Sequence, residues 1–179
     1  MATSAMSKLT KLWKSSMGLD VKVKLYKSLV VSIVLYGCEA WTLTADTQRR
    51  IRAFENKCYR KLLRVSYTEH RTNEDVLEEI TARAGPQEPL LTTVKRRKLA
   101  WFGHHTRHSS LTKIVMQGTV PGQRKRGRQK KLWMDNVKEW TELGYPELLR
   151  RAGDRQRWRK TVVSASRKSP RRPSGHGIE

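Results

Sequence analysis

Hydrophobic residues recur at helical spacing in several parts of the chain, most regularly between residues 45 and 65. The apolar positions there are Ile51, Phe54, Cys58, Leu62 and Val65. At 100° per residue they lie within about 80° of one another on a helical wheel, so they form one apolar face of an amphipathic helix. Thr44 precedes this segment and is suited to cap its first turn.

Two patterns conflict in residues 21–36. The β-branched run Val30–Val34 favours a strand. Apolar residues also recur every four positions from Leu25 onward, as they do on one face of a helix. We predict a helix, with Asp20 as its N-cap and Gly37 at its end.

Four further helices are predicted downstream. A capping-box-like pattern at Thr72 opens a short helix that carries Val76, Leu77 and Ile80. Periodicity then predicts helices over residues 90–107, 130–143 and 147–163. The predicted fold class is therefore all-α, with small helical bundles joined by basic loops.

The pattern also divides the chain into regions. We predict a partly ordered N-terminal segment (1–20), a helical region (21–117), a basic Gly/Pro linker (118–129), a C-terminal helical extension (130–163) and a disordered tail (164–179). The tail assignment follows from its Ser, Arg, Pro and Gly content, which cannot form a core.

Charge indicates the class of partner. The 179 residues include 38 Lys and Arg against 16 Asp and Glu, a net charge of +22. The excess rises from +3 in residues 1–48 to +8 in 49–120 and +11 in 121–179. Such a balance favours a polyanionic partner, nucleic acid above all. At 37% hydrophobic residues, the chain can bury a modest core but not that of a large enzyme.

Three groups of basic residues are candidates for contacts with nucleic-acid phosphates. On the flank and back of the helix in residues 45–65 lie Arg49, Arg50, Lys57, Arg60, Lys61 and Arg64. A second group is the run Lys95, Arg96, Arg97 and Lys98, and a third is the loop with Arg124, Lys125, Arg126 and Arg128. The loop is similar to the core of an AT-hook, but Gln129 stands where the hook has Pro. Phosphate contact is therefore favoured over insertion into the minor groove, and both remain open.

Candidate catalytic and metal residues are sparse. No two of the five Asp are adjacent, so we find no convergent carboxylates for a two-metal site. The paired acids at residues 74–75 and 78–79 fit a solvated helix face or local ion pairs. His104 and His108 have the spacing that one zinc ion can bridge, but no Cys-x-x-Cys supports them. We expect no catalytic residue, no metal, no cofactor and no small-molecule substrate, and we assign the tryptophans of the predicted helices to the core.

Location follows from two further features. The longest apolar stretch, Leu29–Tyr36, has eight residues, whereas a membrane span needs about 20. The first 20 residues lack the continuous apolar segment of a secretory signal. The presence of two Cys in a chain of this length fits a reducing compartment. We expect a nuclear or cytoplasmic protein that is not secreted and has no membrane partner.

Several blocks, in a fixed order from about residue 5 to residue 163, resemble a known family. They include KLYKSLV from Lys24, LYGCEAW from Leu35, FENKCYRKLL from Phe54, RRKLAWFGH from Arg96, WMDN from Trp133 and DRQRWR from Asp154. Together with Thr72-Asn73 and Arg126-Gly-Arg128, they resemble the region that follows the catalytic core of non-LTR (LINE-type) retrotransposon endonuclease–reverse transcriptases.

That resemblance implies a function. In the family an endonuclease domain comes first, then fingers and palm with an Asp-Asp catalytic motif, and finally a thumb and a C-terminal extension. This chain resembles only the thumb and extension, so it is expected to bind template–primer or target duplex (RNA–DNA or DNA) without being an enzyme alone. The alternative is a host-adopted basic adaptor that binds chromatin or protein partners and has no role in reverse transcription.

Overall fold

The computed structural model describes residues 1–108 and 131–168, and every regular element in these ranges is helical. The prediction of an all-α fold is confirmed. The α-helices are α1 (Ala2–Lys8), α2 (Thr10–Lys14), α3 (Leu19–Leu25), α4 (Ser32–Leu35), α5 (Ala45–Leu63), α6 (Asn73–Ala84), α7 (Leu90–Arg107), α8 (Trp133–Thr141), α9 (Tyr145–Gly153) and α10 (Arg155–Arg167). A π-helical segment, Tyr26–Val31, joins α3 to α4, and 3-10 turns occupy Cys38–Ala40 and Tyr67–Glu69.

The chain forms two compact units, Met1–Val94 and Lys95–Glu179. The division falls within α7, inside the predicted region 21–117. The predicted linker, residues 118–129, lies in the part of the chain that the structure does not describe.

The N-terminal segment contains two short helices that pack into the core of the first unit. Trp13 is 1% exposed, and its indole Nε1 donates a hydrogen bond to the Met6 carbonyl at 2.9 Å. Lys61 of α5 donates to the same carbonyl at 3.1 Å and to Thr10 Oγ1 at 3.0 Å. These bonds fix α1 and α2 to a longer helix, because helices this short are not stable alone.

Residues 19–35 are helical as predicted, with a π-helical middle. Gly18 is the N-cap, so the prediction of Asp20 is wrong; Asp20 lies within the first turn. The helix ends before Gly37, whose φ of 64° is the left-handed conformation that glycine adopts without steric cost.

An apolar stripe remains exposed on this same segment. Its members, called here the exposed stripe, are Val21, Leu29, Ile33 and Tyr36, with exposures of 39% to 88%. Val23, Tyr26 and Val30, by contrast, face the core of the first unit and are at most 3% exposed. The segment therefore has apolar residues on both its buried and its exposed faces.

Helix α5 has the predicted apolar face. Ile51, Cys58 and Leu62 are at most 7% exposed, and Phe54 and Val65 pack against the core while partly buried. Thr44 caps the helix, because its hydroxyl accepts a hydrogen bond from the Thr47 amide at 3.2 Å. The predicted start and cap of this helix are confirmed, and the helix ends at Leu63, two residues before the predicted end.

Helix α6 begins with the predicted capping box. The Thr72 hydroxyl accepts from the Asp75 amide at 3.1 Å, and the Asp75 carboxylate accepts from the Thr72 amide at 3.0 Å. These hydrogen bonds hold the pKa of Asp75 below its usual value. Val76 and Ile80 are buried, whereas Leu77 is 43% exposed.

In the second unit, the predicted helix over residues 147–163 is two helices, α9 and α10. They divide at Asp154, whose carboxylate accepts from the amides of Gln156 at 2.9 Å and Arg157 at 3.1 Å and so caps α10. Helix α10 continues to Arg167, beyond the predicted start of the disordered tail at residue 164. Residues 169–179 of that tail are not among the described residues.

Aromatic side chains form the core of this unit. Trp140 and Trp158 are 3% and 2% exposed, which confirms their assignment to the core. The Phe102 and Trp158 rings lie 5.4 Å apart, as do those of Trp101 and Trp133, with the latter pair edge to face.

Candidate nucleic-acid interface

The first turns of α5 carry the most exposed of the predicted contacts. The side chains of Arg49 and Arg50 are 79% and 80% exposed. Both form ion pairs with Asp46, at 2.7 Å from Arg50 Nε to the carboxylate. Exposed pairs of this kind stabilise a helix by less than about 1 kcal/mol, so a phosphate can replace the carboxylate at little cost.

Lys57 and one residue that the sequence reasoning omitted complete this surface. Arg52 is exposed and has no ion pair among the described residues. Its position three residues after Arg49, one turn along the helix, was the signal that could have included it. We call these four residues, Arg49, Arg50, Arg52 and Lys57, the α5 basic surface.

The other three predicted residues of α5 form hydrogen bonds within the first unit. Arg60 donates to the Arg71 carbonyl at 2.7 Å, and Lys61 binds α1 and α2 as described. Arg64 donates to the carbonyls of Trp13 and Ser15 at 3.4 and 2.7 Å, and also to that of Lys14. Lys61 and Arg64 hold the N-terminal segment in place, whereas Arg60 binds the start of α6. The role of all three in nucleic-acid binding stays a prediction.

The predicted basic run of α7 is split by the structure. Arg96 and Arg97 are exposed, whereas Lys95 and Lys98 are 2% and 0% exposed. The two lysines therefore do not form the predicted phosphate-contact surface, because their side chains belong to the core of the second unit.

Aromatic rings and an amide hold Lys98 in that core. Its Nζ donates to Asn136 Oδ1 at 2.9 Å and lies 4.3 Å from the centre of the Trp133 ring and 5.7 Å from that of Trp140. Burial, and to a smaller extent the positive charge of Lys131, lower the pKa of Lys98 to about 7.

The third predicted group, the loop with Arg124, Lys125, Arg126 and Arg128, lies outside the described ranges. Phosphate contact and minor-groove insertion both stay open for this loop. Its contribution can be measured in solution by substitution.

A second basic surface lies between α7 and α10. Of its arginines, only Arg96 was among the predicted contact residues. Here a groove of about 500 Å³ is bordered by Arg96, Arg107, Arg155 and Arg159, with His104 on the same side as Arg107. We call it the arginine groove. The spacing of Arg155 and Arg159, one turn apart on α10, was the available signal, but the pairing of α7 with α10 could not be known from spacing.

Glu79 of α6 forms local ion pairs, one of the two roles predicted for the acidic residues of this helix. Glu79 binds Arg71 at 2.7 Å and Arg83 at 2.8 Å, and these hydrogen bonds hold its pKa below the usual value. Asp75 belongs to the capping box. These carboxylates stabilise the helix and its neighbours.

Within the described ranges, no group of three or more His, Cys, Asp or Glu could hold a metal ion. Cys38 and Cys58 are buried thiols of the first unit, and burial raises the pKa of Cys58 to about 11. The ring of His104 on α7 lies 4.6 Å from that of His108, just after the end of this helix in the second unit. None of the described helices is long and apolar enough to cross a membrane.

One curated relative adds information about origin. The chain is 30% identical over 122 residues to a protein of Caenorhabditis elegans described as an uncharacterized transposon-derived protein. The alignment covers 66% of this chain and 43% of that protein, so the chain spans less than half the length of its relative. No family model matches the chain, and no solved structure matches it.

Proposed function

We propose that this chain is a nucleic-acid-binding segment of transposable-element origin. In this proposal it corresponds to the thumb and C-terminal extension of a non-LTR retrotransposon reverse transcriptase. The similarity to a transposon-derived protein supports the origin. The ordered sequence blocks that resemble the region after the catalytic core support the finer assignment.

The observation that carries the binding role is the α5 basic surface. Its four cations lie within nine residues of one helix, and Asp46 is the carboxylate that pairs with two of them. Helix α5 is also anchored by its buried face, so the cations are presented by a rigid element. Rigid cations at helical spacing suit the regularly spaced phosphates of a duplex, and such contacts carry little sequence information.

The exposed stripe on residues 21–36 fits the same proposal. A thumb separated from its palm would leave uncovered the apolar face that the rest of the polymerase contacts. Exposed apolar residues grouped on one face mark an interaction site more often than chance. The remainder of the polymerase is the occupant that the proposal assigns to this face.

Binding to duplex nucleic acid should depend steeply on salt. With about six phosphate contacts at roughly −0.9 each, a plot of log affinity against log salt concentration should have a slope near −5. Fluorescence anisotropy with labelled 20-base-pair DNA and RNA–DNA duplexes, each in two unrelated sequences, measures it. A slope near zero, or a strong preference for one sequence, would contradict the proposal.

Substitution locates the contacts. The triple variant Arg49→Gln, Arg50→Gln, Lys57→Gln should flatten the slope by about 2.7, because it removes three contacts. A matched control removes the same charge from exposed positions of α1 and α2, by Lys8→Gln, Lys11→Gln and Lys14→Gln. This control should change the slope by less than about one. Equal effects of the two triple variants would place the contacts elsewhere.

The purified chain should not extend a primer. Nucleotidyl transfer needs carboxylates that converge on two metal ions, and the sequence contains no Asp-Asp pair. We expect no product above background from a primed RNA or DNA template with Mg²⁺ or Mn²⁺ and all four deoxynucleotides. Extension that persists through successive purification steps and follows the protein peak would contradict this prediction.

The exposed stripe also favours the alternative function, a basic adaptor that binds a protein partner. In that case the net charge of +22 would maintain solubility or attract an acidic protein partner instead of binding phosphates. A correctly folded chain, judged by its circular dichroism spectrum, that binds no duplex at 50 mM salt would favour the adaptor over the thumb fragment.

A further inference from the structure

Two of the cations that border the arginine groove, Arg155 and Arg159, lie one turn apart on α10. No residue that lines the groove is acidic. Arg155 and Arg159 are exposed and have no ion pair among the described residues, since the nearby carboxylate of Asp154 pairs with Arg157 at 3.3 Å. Cations left together in this way repel one another, and a bound anion would remove that repulsion.

Arg107 shows that the cations are close enough to interact. Burial lowers the pKa of its guanidinium, and the charges of Arg155 and Arg159 lower it further. Its Nη1 donates to the Ala152 carbonyl at 2.8 Å, which holds the side chain at the edge of the groove. At least one of the four cations is therefore positioned before any ligand arrives.

The groove has an apolar floor as well as charged edges. Ala100 of α7 and Val162 and Val163 of α10 line it, and Val163 is 47% exposed. Apolar contacts do not stabilise a bound inorganic anion, whereas a nucleotide presents a sugar and a base beside its phosphate. The combination of cations and apolar surface fits a chain of nucleotides.

The apolar floor favours a single strand over a duplex. The groove lies where two helices pack against each other, because Trp158 of α10 donates to the Leu99 carbonyl of α7 at 2.9 Å. A duplex presents phosphates on its outside and keeps its bases stacked inside, whereas a single strand can place a sugar or a base against apolar side chains.

We propose that the arginine groove binds the sugar–phosphate backbone of single-stranded RNA or DNA, with Arg155 and Arg159 on successive phosphates and Val163 against a sugar or base. The inference rests on the proposed function in that both concern nucleic acid. It assigns a different form of nucleic acid to a different surface, and so the two can fail separately.

The test uses the full chain and labelled 12-nucleotide single strands of RNA and DNA, with a 20-base-pair duplex alongside. Arg155→Gln with Arg159→Gln should weaken single-strand binding at least tenfold at 100 mM salt. It should also flatten the salt slope for single strands by about 1.4, from roughly −0.7 per contact. Duplex affinity should change by less than about threefold.

Two matched controls separate the groove from charge in general. Arg157→Gln with Lys160→Gln removes the same charge from the opposite side of α10 and should leave single-strand binding within about threefold of the wild type. Val163→Glu should weaken binding of the strand at least tenfold, because it places a carboxylate in the groove. Ser164→Glu, on the neighbouring exposed position, should not.

Equal losses from the groove and control variants would overturn the inference, as would equal losses for duplex and single strand. Competition by polyglutamate as strong as that by an unlabelled strand would also overturn it, because the groove would then accept any acidic chain. Duplex binding without single-strand binding would overturn this inference alone. Single-strand binding lost in the groove variant, without duplex binding, would support it and contradict the proposed function.

Discussion

Replacing Gly103 with alanine is expected to destabilise the second unit by about 2 kcal/mol, despite alanine's higher helix propensity. A Cβ at this position would lie 2.1 Å from Trp158 Nε1 and 2.2 Å from its Cδ1. Trp158 is 2% exposed and donates to the Leu99 carbonyl, so it can move only by losing that bond and its packing on Phe102. Overpacking of this kind costs about 1–3 kcal/mol, and the lost hydrogen bond about 1 more.

Thermal and denaturant unfolding, with near-ultraviolet circular dichroism as the probe of tryptophan packing, measure the effect. Gly153→Ala is the matched control, because nothing lies within 4 Å of a Cβ built there and the residue is also helical. The control should be neutral or slightly more stable. A Gly103→Ala variant as stable as this control would show that Trp158 does not pack against the α7 backbone.

Replacing Lys98 with methionine is expected to change how stability depends on pH. The pKa of Lys98 is lowered to about 7 in the folded chain, against 10.5 for an ordinary lysine. Between these values the unfolded chain binds one more proton than the folded chain, so the free energy of unfolding rises with pH. Each pH unit in this window adds up to about 1.4 kcal/mol.

The methionine variant lacks this rise. At pH 6.5 it should match or exceed the wild type in stability, because a buried lysine that must stay charged is costly and methionine can fill its volume. By pH 9 the difference should have shifted in favour of the wild type by roughly 2 kcal/mol. Urea unfolding at pH 6.5, 7.5 and 9 tests this, with the exposed Lys160→Met as control; parallel curves for Lys98→Met and wild type would contradict it.

The sequence was sufficient for elements whose local signals agree. In α5 the apolar spacing, the Thr44 cap and the helix length all indicate the same structure, and the predicted start is confirmed, with the end at Leu63 instead of residue 65. At α6 the capping box has the same effect. Local signals were insufficient where tertiary packing determines the structure. The helices within residues 2–14 are too short and too polar to be predicted from the sequence. They form because hydrogen bonds from Trp13 and Lys61 attach them to the core.

The basic run of α7 was misassigned for a geometric reason. Four consecutive residues of a helix point in four directions 100° apart, so a run of cations cannot all face one partner. On the wheel, Lys98 shares a face with the buried Leu91, Val94 and Phe102. That alignment was readable from the sequence, but burying a lysine is costly enough that solvent exposure was the natural expectation.

The arginine groove required a different kind of information. Spacing places Arg155 and Arg159 on one face of α10, and Arg96 and Arg107 on one face of α7. The packing of Trp158 of α10 against Leu99, Phe102 and Gly103 of α7 brings the two faces together. A pairing between residues more than 50 positions apart has no local signature.

The two buried cysteines provide a way to measure how often the helices of the first unit open. Both thiols of the chain, Cys38 and Cys58, lie inside this unit, at 0% and 2% exposure. A thiol reagent can reach them only when the surrounding helices open, and the raised pKa of Cys58 keeps its reactive thiolate scarce until then. The rate of labelling therefore reports the opening of the helices that cover these two thiols. Duplex bound on the α5 basic surface would stabilise those helices and so slow the labelling.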